Sequence, residues 1–224
     1  MRASSWLERA LFARRTAWSL ALARVALGLV LFGWTVTALV DAGTWFAPDG
    51  LARIEAAAPE GWRGWADIDT RGEATLALSL LAVTALMIAS GWFPSTAAVV
   101  AFGLLVALQR RSPVVLNSGD LVLRNLIGLL ALTPSSAAWS LDRLRRGGPG
   151  GNAVSALVAP WGVRLLQLQL IVVYLFAVWS KSGELWRNGT AVSTVLRLED
   201  LQRVGAPDFL VENVTLVAAL TWGT

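Results

Sequence analysis

The sequence predicts an all-α fold, a polytopic bundle of transmembrane helices with five full spans and a sixth begun at the C-terminus. Three observations predict it. Long, nearly charge-free apolar runs recur along the chain, each of the length a helix needs to cross a bilayer. The 224 residues are 55% hydrophobic and 15% charged, too little charge to cover a soluble domain of this size. Several of the twelve tryptophans flank the apolar runs, as residues of the membrane–water interface do.

The missing residue types bound the chemistry. Without cysteine there is no disulfide and no thiol chemistry. Without histidine the commonest general base and the commonest metal ligand are both absent, which argues against a zinc or haem centre. The net charge of +4 comes largely from arginines. On a membrane protein such clusters point to anionic lipid as the partner, not nucleic acid.

Residues 1–16 read as a basic interfacial segment, and residues 17–224 as the membrane domain. Residues 17–40 form the first span. It is too long, and lacks the small-residue cleavage site, for a signal peptide. Its one charge, Arg24, lies near the helix start and is expected to snorkel to the basic side, with an internal ion pair as the alternative. Residues 41–73 are a loop in which acids slightly outnumber arginines, so the positive-inside rule places it away from the cytoplasm. Its 45–50 stretch, WFAPDG, reads as a turn.

The second span covers residues 74–93 and stops at Pro94, with a tight return. Residues 96–108 make a third, ending at Gln109, Arg110 and Arg111. Pro113 and Ser118–Gly119 predict a turn or broken helix. Residues 121–132 continue as the fourth span, with Arg124 inside it and Asp120, four residues earlier, as its nearest candidate partner. Asn117 to Asp120 also reads as a simple helix N-cap.

Residues 134–160 form a basic linker with a glycine-rich centre at 147–152, placed on the cytoplasmic side. The fifth span covers residues 163–179, where Gln167 or Gln169 must find a partner helix. Residues 180–213 are polar, with an interfacial helix expected at 196–204. A sixth apolar segment opens at 210–222 and stops so near the last residue that a truncated chain is expected. The N-terminus is then expected in the cytoplasm and the protein integral to a membrane.

With this topology the polar residues converge on the outer side: Asn117, Asp120, Arg124, Tyr174, Lys181, Glu184 and Trp186. Lys181 and Glu184 share a face if the fifth helix continues through them. Lys181 is either an interfacial anchor beside tryptophan or a base tuned by its surroundings.

Five segments, in this order, carry a family resemblance: RVALG at 24–28, WFAPDG at 45–50, NSGDLVLRN at 117–125, WSLD at 139–142 and YLFAVWSKSGELWRNGTA ending at Ala191. The chain resembles the bacterial HTTM family, the horizontally transferred transmembrane domain that includes the membrane part of vitamin K-dependent γ-carboxylase. The resemblance implies a helical membrane fold and a reduced quinone as cofactor. It also implies that Lys181 matches the lysine held to be the carboxylase's base. The carboxylase has a functional histidine near the position of Ser118, where this chain has none, and its large lumenal domain has no counterpart here.

Three functions are compatible with these residues. The first is an HTTM-type membrane protein that binds a lipid, quinone or protein partner at its outer polar face. The second is a carboxylase-like enzyme with Lys181 as base. The third is a small transporter, which the broken spans suit but for which the two halves carry no inverted repeat.

Overall fold

The computed structural model describes residues 8–9, 11–45, 70–111, 117–147, 157–197 and 213–223. The expected turn at 46–50, most of the 41–73 loop, Pro113, the glycine-rich linker beyond Gly147 and the expected helix beyond Arg197 lie outside the described residues. The chain divides into two compact units, Met1–Leu170 and Ile171–Thr224.

In the first unit, helix α1 spans Trp18–Val40 and a short α2 spans Ala42–Trp45. Helix α3 spans Arg71–Ser90, α4 Pro94–Arg111 and α5 Ser118–Ala131. A 3-10 turn at Ser135–Ala137 and helix α6, Leu141–Gly147, follow. A two-residue strand β1, Arg15–Thr16, pairs antiparallel with β2, Leu157–Val158. Helix α7, Trp161–Ser180, begins in this unit and ends in the second.

Packing follows the sequence spacing. On α1 the buried positions are Leu20, Ala21, Arg24, Gly28, Leu31 and Thr35, a stripe of helical period. It meets α3, which buries Ala74, Ala77, Leu78, Leu81, Ala85 and Ile88. Small residues let the two backbones close: a Cβ on Gly28 would lie 2.6 Å from the Ala89 nitrogen. α3 packs in turn on α4, and α4 on α5, as antiparallel neighbours around one apolar core.

The ends of α3 follow from local chemistry. Thr70 and Glu73 form a reciprocal capping box at its start. At its end Gly91 takes a left-handed conformation, φ 73°, and Pro94 opens α4 at the position where its missing N–H costs nothing. The tight return expected at Pro94 is present.

The all-α class stands, but the five full spans do not all appear as long apolar helices. Among the described residues, three are long and apolar enough to cross a bilayer: α1, α3 and α7. The apolar part of α4, Pro94–Arg110, is shorter. α5 has 14 residues, roughly 21 Å at 1.5 Å per residue, against about 30 Å of hydrocarbon. Ser118 and Gly119 are its first helical residues rather than a turn, because Asn117 caps the helix just before them.

The second unit holds the end of α7, then α8 at Glu184–Arg187, α9 at Ala191–Leu196 and α10 at Val214–Gly223. Its α7 residues stand open: Phe176 is 74% exposed and Trp179 83%. Large apolar side chains in this number suit hydrocarbon rather than water.

Candidate functional site

Polar side chains gather in three places, two in the first unit and one in the second.

The first place joins the end of α4 to the start of α5. The Asn117 side chain accepts from the Asp120 N–H at 3.0 Å, and the Asp120 carboxylate accepts from the Asn117 N–H at 3.2 Å. This reciprocal pair satisfies two donors that a helix start otherwise leaves open. Gln109, 3% exposed, reaches across from α4 and donates to the Asp120 carbonyl at 3.3 Å. Arg124 donates from Nη1 to Gln109 Oε1 at 2.9 Å. The sequence suggests Asp120 as the partner of Arg124; the bond made is to Gln109, because the Asp120 carboxylate is engaged at the cap. The buried Nε–H of Arg124 has no hydrogen-bond partner among the described residues.

The second place is the turn after α7. The helix stops at Ser180 and α8 begins at Glu184 behind the cap residue Gly183, so Lys181 and Glu184 do not share a continuous helical face. Lys181 is partly buried and its Nζ lies 5.0 Å from the centroid of the Trp186 ring, a cation–π distance. Trp186 is fixed from α10, since Trp222 Nε1 donates to its carbonyl at 3.1 Å. Thr221 Oγ1 accepts from the Val192 N–H at 3.3 Å and has two carbonyls within reach of its one proton, Val217 at 2.9 Å and Gly189 at 3.1 Å. Gly189 has φ 69°, and a Cβ there would lie 3.0 Å from that of Ala218. Tyr174 and Glu184 are exposed.

The third place is the other end of the first unit, where two chain reversals meet. Arg24 is 0% exposed. Its Nη1 donates to the carbonyls of Ser135 at 2.7 Å and Ala138 at 3.0 Å, and its Nη2 donates to that of Trp139. The expected snorkelling is therefore replaced by a buried clamp: the 135–139 turn leaves carbonyls that its own backbone does not satisfy, and Arg24 supplies their donors. Asp142 ties the same turn to the α3–α4 return, accepting from the Phe93 N–H at 3.1 Å and donating its own N–H to the Gly91 carbonyl at 3.3 Å. RVALG and WSLD are thus two halves of one structural joint.

Gln167 finds its partner on its own helix, accepting from Arg164 at 2.9 Å, one turn away. Three residues escape a reading of the sequence. Gln109 reads there as the mere end of a span, although an amide amid apolar residues is a signal. Thr221 and Trp222 lie in what reads as a plain apolar segment, and only the fold connects them to the 186–192 turn.

A protein-family model of the HTTM domain matches residues 72–224, from the first turn of α3 onward. No curated protein and no solved structure matches the chain. The matched region contains both the Asn117–Arg124 group and the Lys181 turn, and it covers well over half of the sequence. The chain belongs to the HTTM domain family.

Proposed function

We propose that this HTTM-domain membrane protein binds a membrane-dissolved amphiphile, a quinone or a lipid headgroup, at the outer polar end of α4 and α5. The proposed topology has the N-terminus in the cytoplasm, α4 and α5 crossing with α1, α3 and α7, and α10 opening a sixth span. One observation carries the reading. The buried Arg124 Nε–H lacks an acceptor among the described residues, and a polar group left so within a membrane helix is costly. An oxygen acceptor on a lipid-soluble molecule would satisfy it.

The donor set fits a quinone oxygen. Arg124 offers a charged N–H, Gln109 fixes the guanidinium, and the Asn117–Asp120 cap fixes Gln109. A reduced quinone, when bound, supplies two-electron reducing chemistry. The chain's own residues bind and orient its head. Organic extraction and mass spectrometry of nanodisc-embedded protein test the proposal. Wild type is expected to carry a quinone or one phospholipid class in stoichiometric amount, and a folded Arg124→Leu variant to lose it. Equal content in both proteins removes the proposal, and the extracted species decides between the two ligands.

A second reading rests on the Lys181 turn: a carboxylase-like enzyme with Lys181 as base. What supports it is the resemblance of this segment together with the partly buried Lys181, held over a Trp186 that α10 fixes. Turnover of reduced quinone lost in Lys181→Ala, with stability and bound ligand unchanged, is the expected result. Stability lost with turnover intact makes Lys181 an anchor.

A further inference from the structure

At the end of the first unit opposite Arg124, an open groove of about 480 Å³ lies between the α3–α4 return and α6. Its walls are Trp92, Leu141 and Leu144, with Arg145 at the rim. The side chains are not covered: Leu144 is 68% exposed, and Trp92 and Leu141 are exposed too. Arg145 Cζ sits 5.6 Å from the Trp92 ring centroid, which holds the cation beside the groove. Trp18 and Trp139, ring centroids 6.0 Å apart, add a second aromatic pair at this end of the unit. The sequence of α6, LDRLRRG, supplies three arginines in seven residues.

We infer that this groove holds one anionic phospholipid, its phosphate at Arg145 and the upper part of its acyl chains against Trp92, Leu141 and Leu144. Charge complementarity selects the occupant. A basic, aromatic-lined groove at the end of a membrane bundle attracts a negative headgroup, and the apolar walls take the chain below it. A zwitterionic lipid fills the same walls but gains less from the guanidinium. Arg143 belongs to the fold instead, since it donates to the Ala137 carbonyl within the joint.

The test is competition between phosphatidylglycerol and phosphatidylcholine for the full chain in mixed micelles, with retained lipid counted by native mass spectrometry. Wild type is expected to retain phosphatidylglycerol preferentially. Arg145→Gln is expected to reduce that preference about fivefold, the roughly 1 kcal/mol of one basic residue at an anionic surface. Arg164→Gln, on an exposed arginine outside the groove, is expected to leave it unchanged. An unaltered preference in Arg145→Gln, or an equal loss in both variants, overturns the inference. A photoactivatable phosphatidylglycerol on wild type gives an independent reading. Adducts mapping to residues 139–147 and Trp92 support the site, and adducts elsewhere refute it. Lipid retained without selection by headgroup also refutes it.

Discussion

Two arginines placed inside helices differ in the partners of their Nη atoms. Arg24 donates from both Nη atoms to three carbonyls of a distant turn, so its charge serves architecture, although its buried Nε–H, like that of Arg124, has no partner among the described residues. Among the described residues Arg124 donates from Nη1 to a side chain of the neighbouring helix, and its buried Nε–H is the donor proposed to meet a ligand. The difference predicts different phenotypes. Arg24→Ala leaves the carbonyls of Ser135, Ala138 and Trp139 without their donor, and is expected to cost about 3 kcal/mol. A clear fall in the thermal unfolding midpoint in detergent checks this; an unchanged midpoint shows that the joint is dispensable. Arg124→Leu is expected to lower that midpoint less, because it deprives one acceptor, Gln109 Oε1, of its donor rather than three and removes an unsatisfied donor as well.

At the scale of elements, the α3–α4 hairpin is legible in the sequence apart from its exact ends. The apolar spacing and the break at Pro94 are read correctly, but the expected span of 74–93 lies at Arg71–Ser90 and the next helix opens at Pro94 itself, because the Thr70 cap and the left-handed Gly91 set start and stop. The start of α5 is readable only in part. Asn117 to Asp120 reads as a cap, but the role of Gln109 depends on how α4 and α5 align, which no local pattern encodes. The end of α7 escapes the local pattern for a similar reason. Residues 180–183 carry no proline, and the break before Gly183 belongs to a turn that α10, some thirty residues later, holds in place. That clamp is testable by itself. Thr221→Val removes the acceptor of the Val192 N–H and the proton shared between the Val217 and Gly189 carbonyls, at an expected cost of about 1–2 kcal/mol. Hydrogen exchange should quicken in residues 186–196 and stay unchanged in residues 70–111. Unchanged exchange across the turn contradicts the clamp.

For the whole molecule, the exposed apolar surface of α1, α3 and α7 reads as lipid-facing, as the composition implies. The number of spans is less legible, because hydropathy records apolar runs and not where helices stop. Lys181 and the basic α6 fall on opposite sides of the bilayer in the proposed topology, and the absence of native cysteine makes this simple to check. A single Ser182→Cys is expected to react with a membrane-impermeant maleimide added to intact cells, and a single Gly147→Cys only after permeabilisation. Reaction of both under the same condition contradicts the topology and, with it, the outer placement of the Arg124 site.

The most direct measurement of that site is a double-mutant cycle on Arg124 and Gln109, reading the affinity of a short-chain quinone for nanodisc-embedded protein. Each of Arg124→Leu and Gln109→Leu is expected to weaken binding about tenfold, the roughly 1.5 kcal/mol of a hydrogen bond from a charged donor. The double variant should lose little more, because the two residues act as one unit. Single variants that bind as tightly as wild type would contradict a ligand site at the end of α4 and α5.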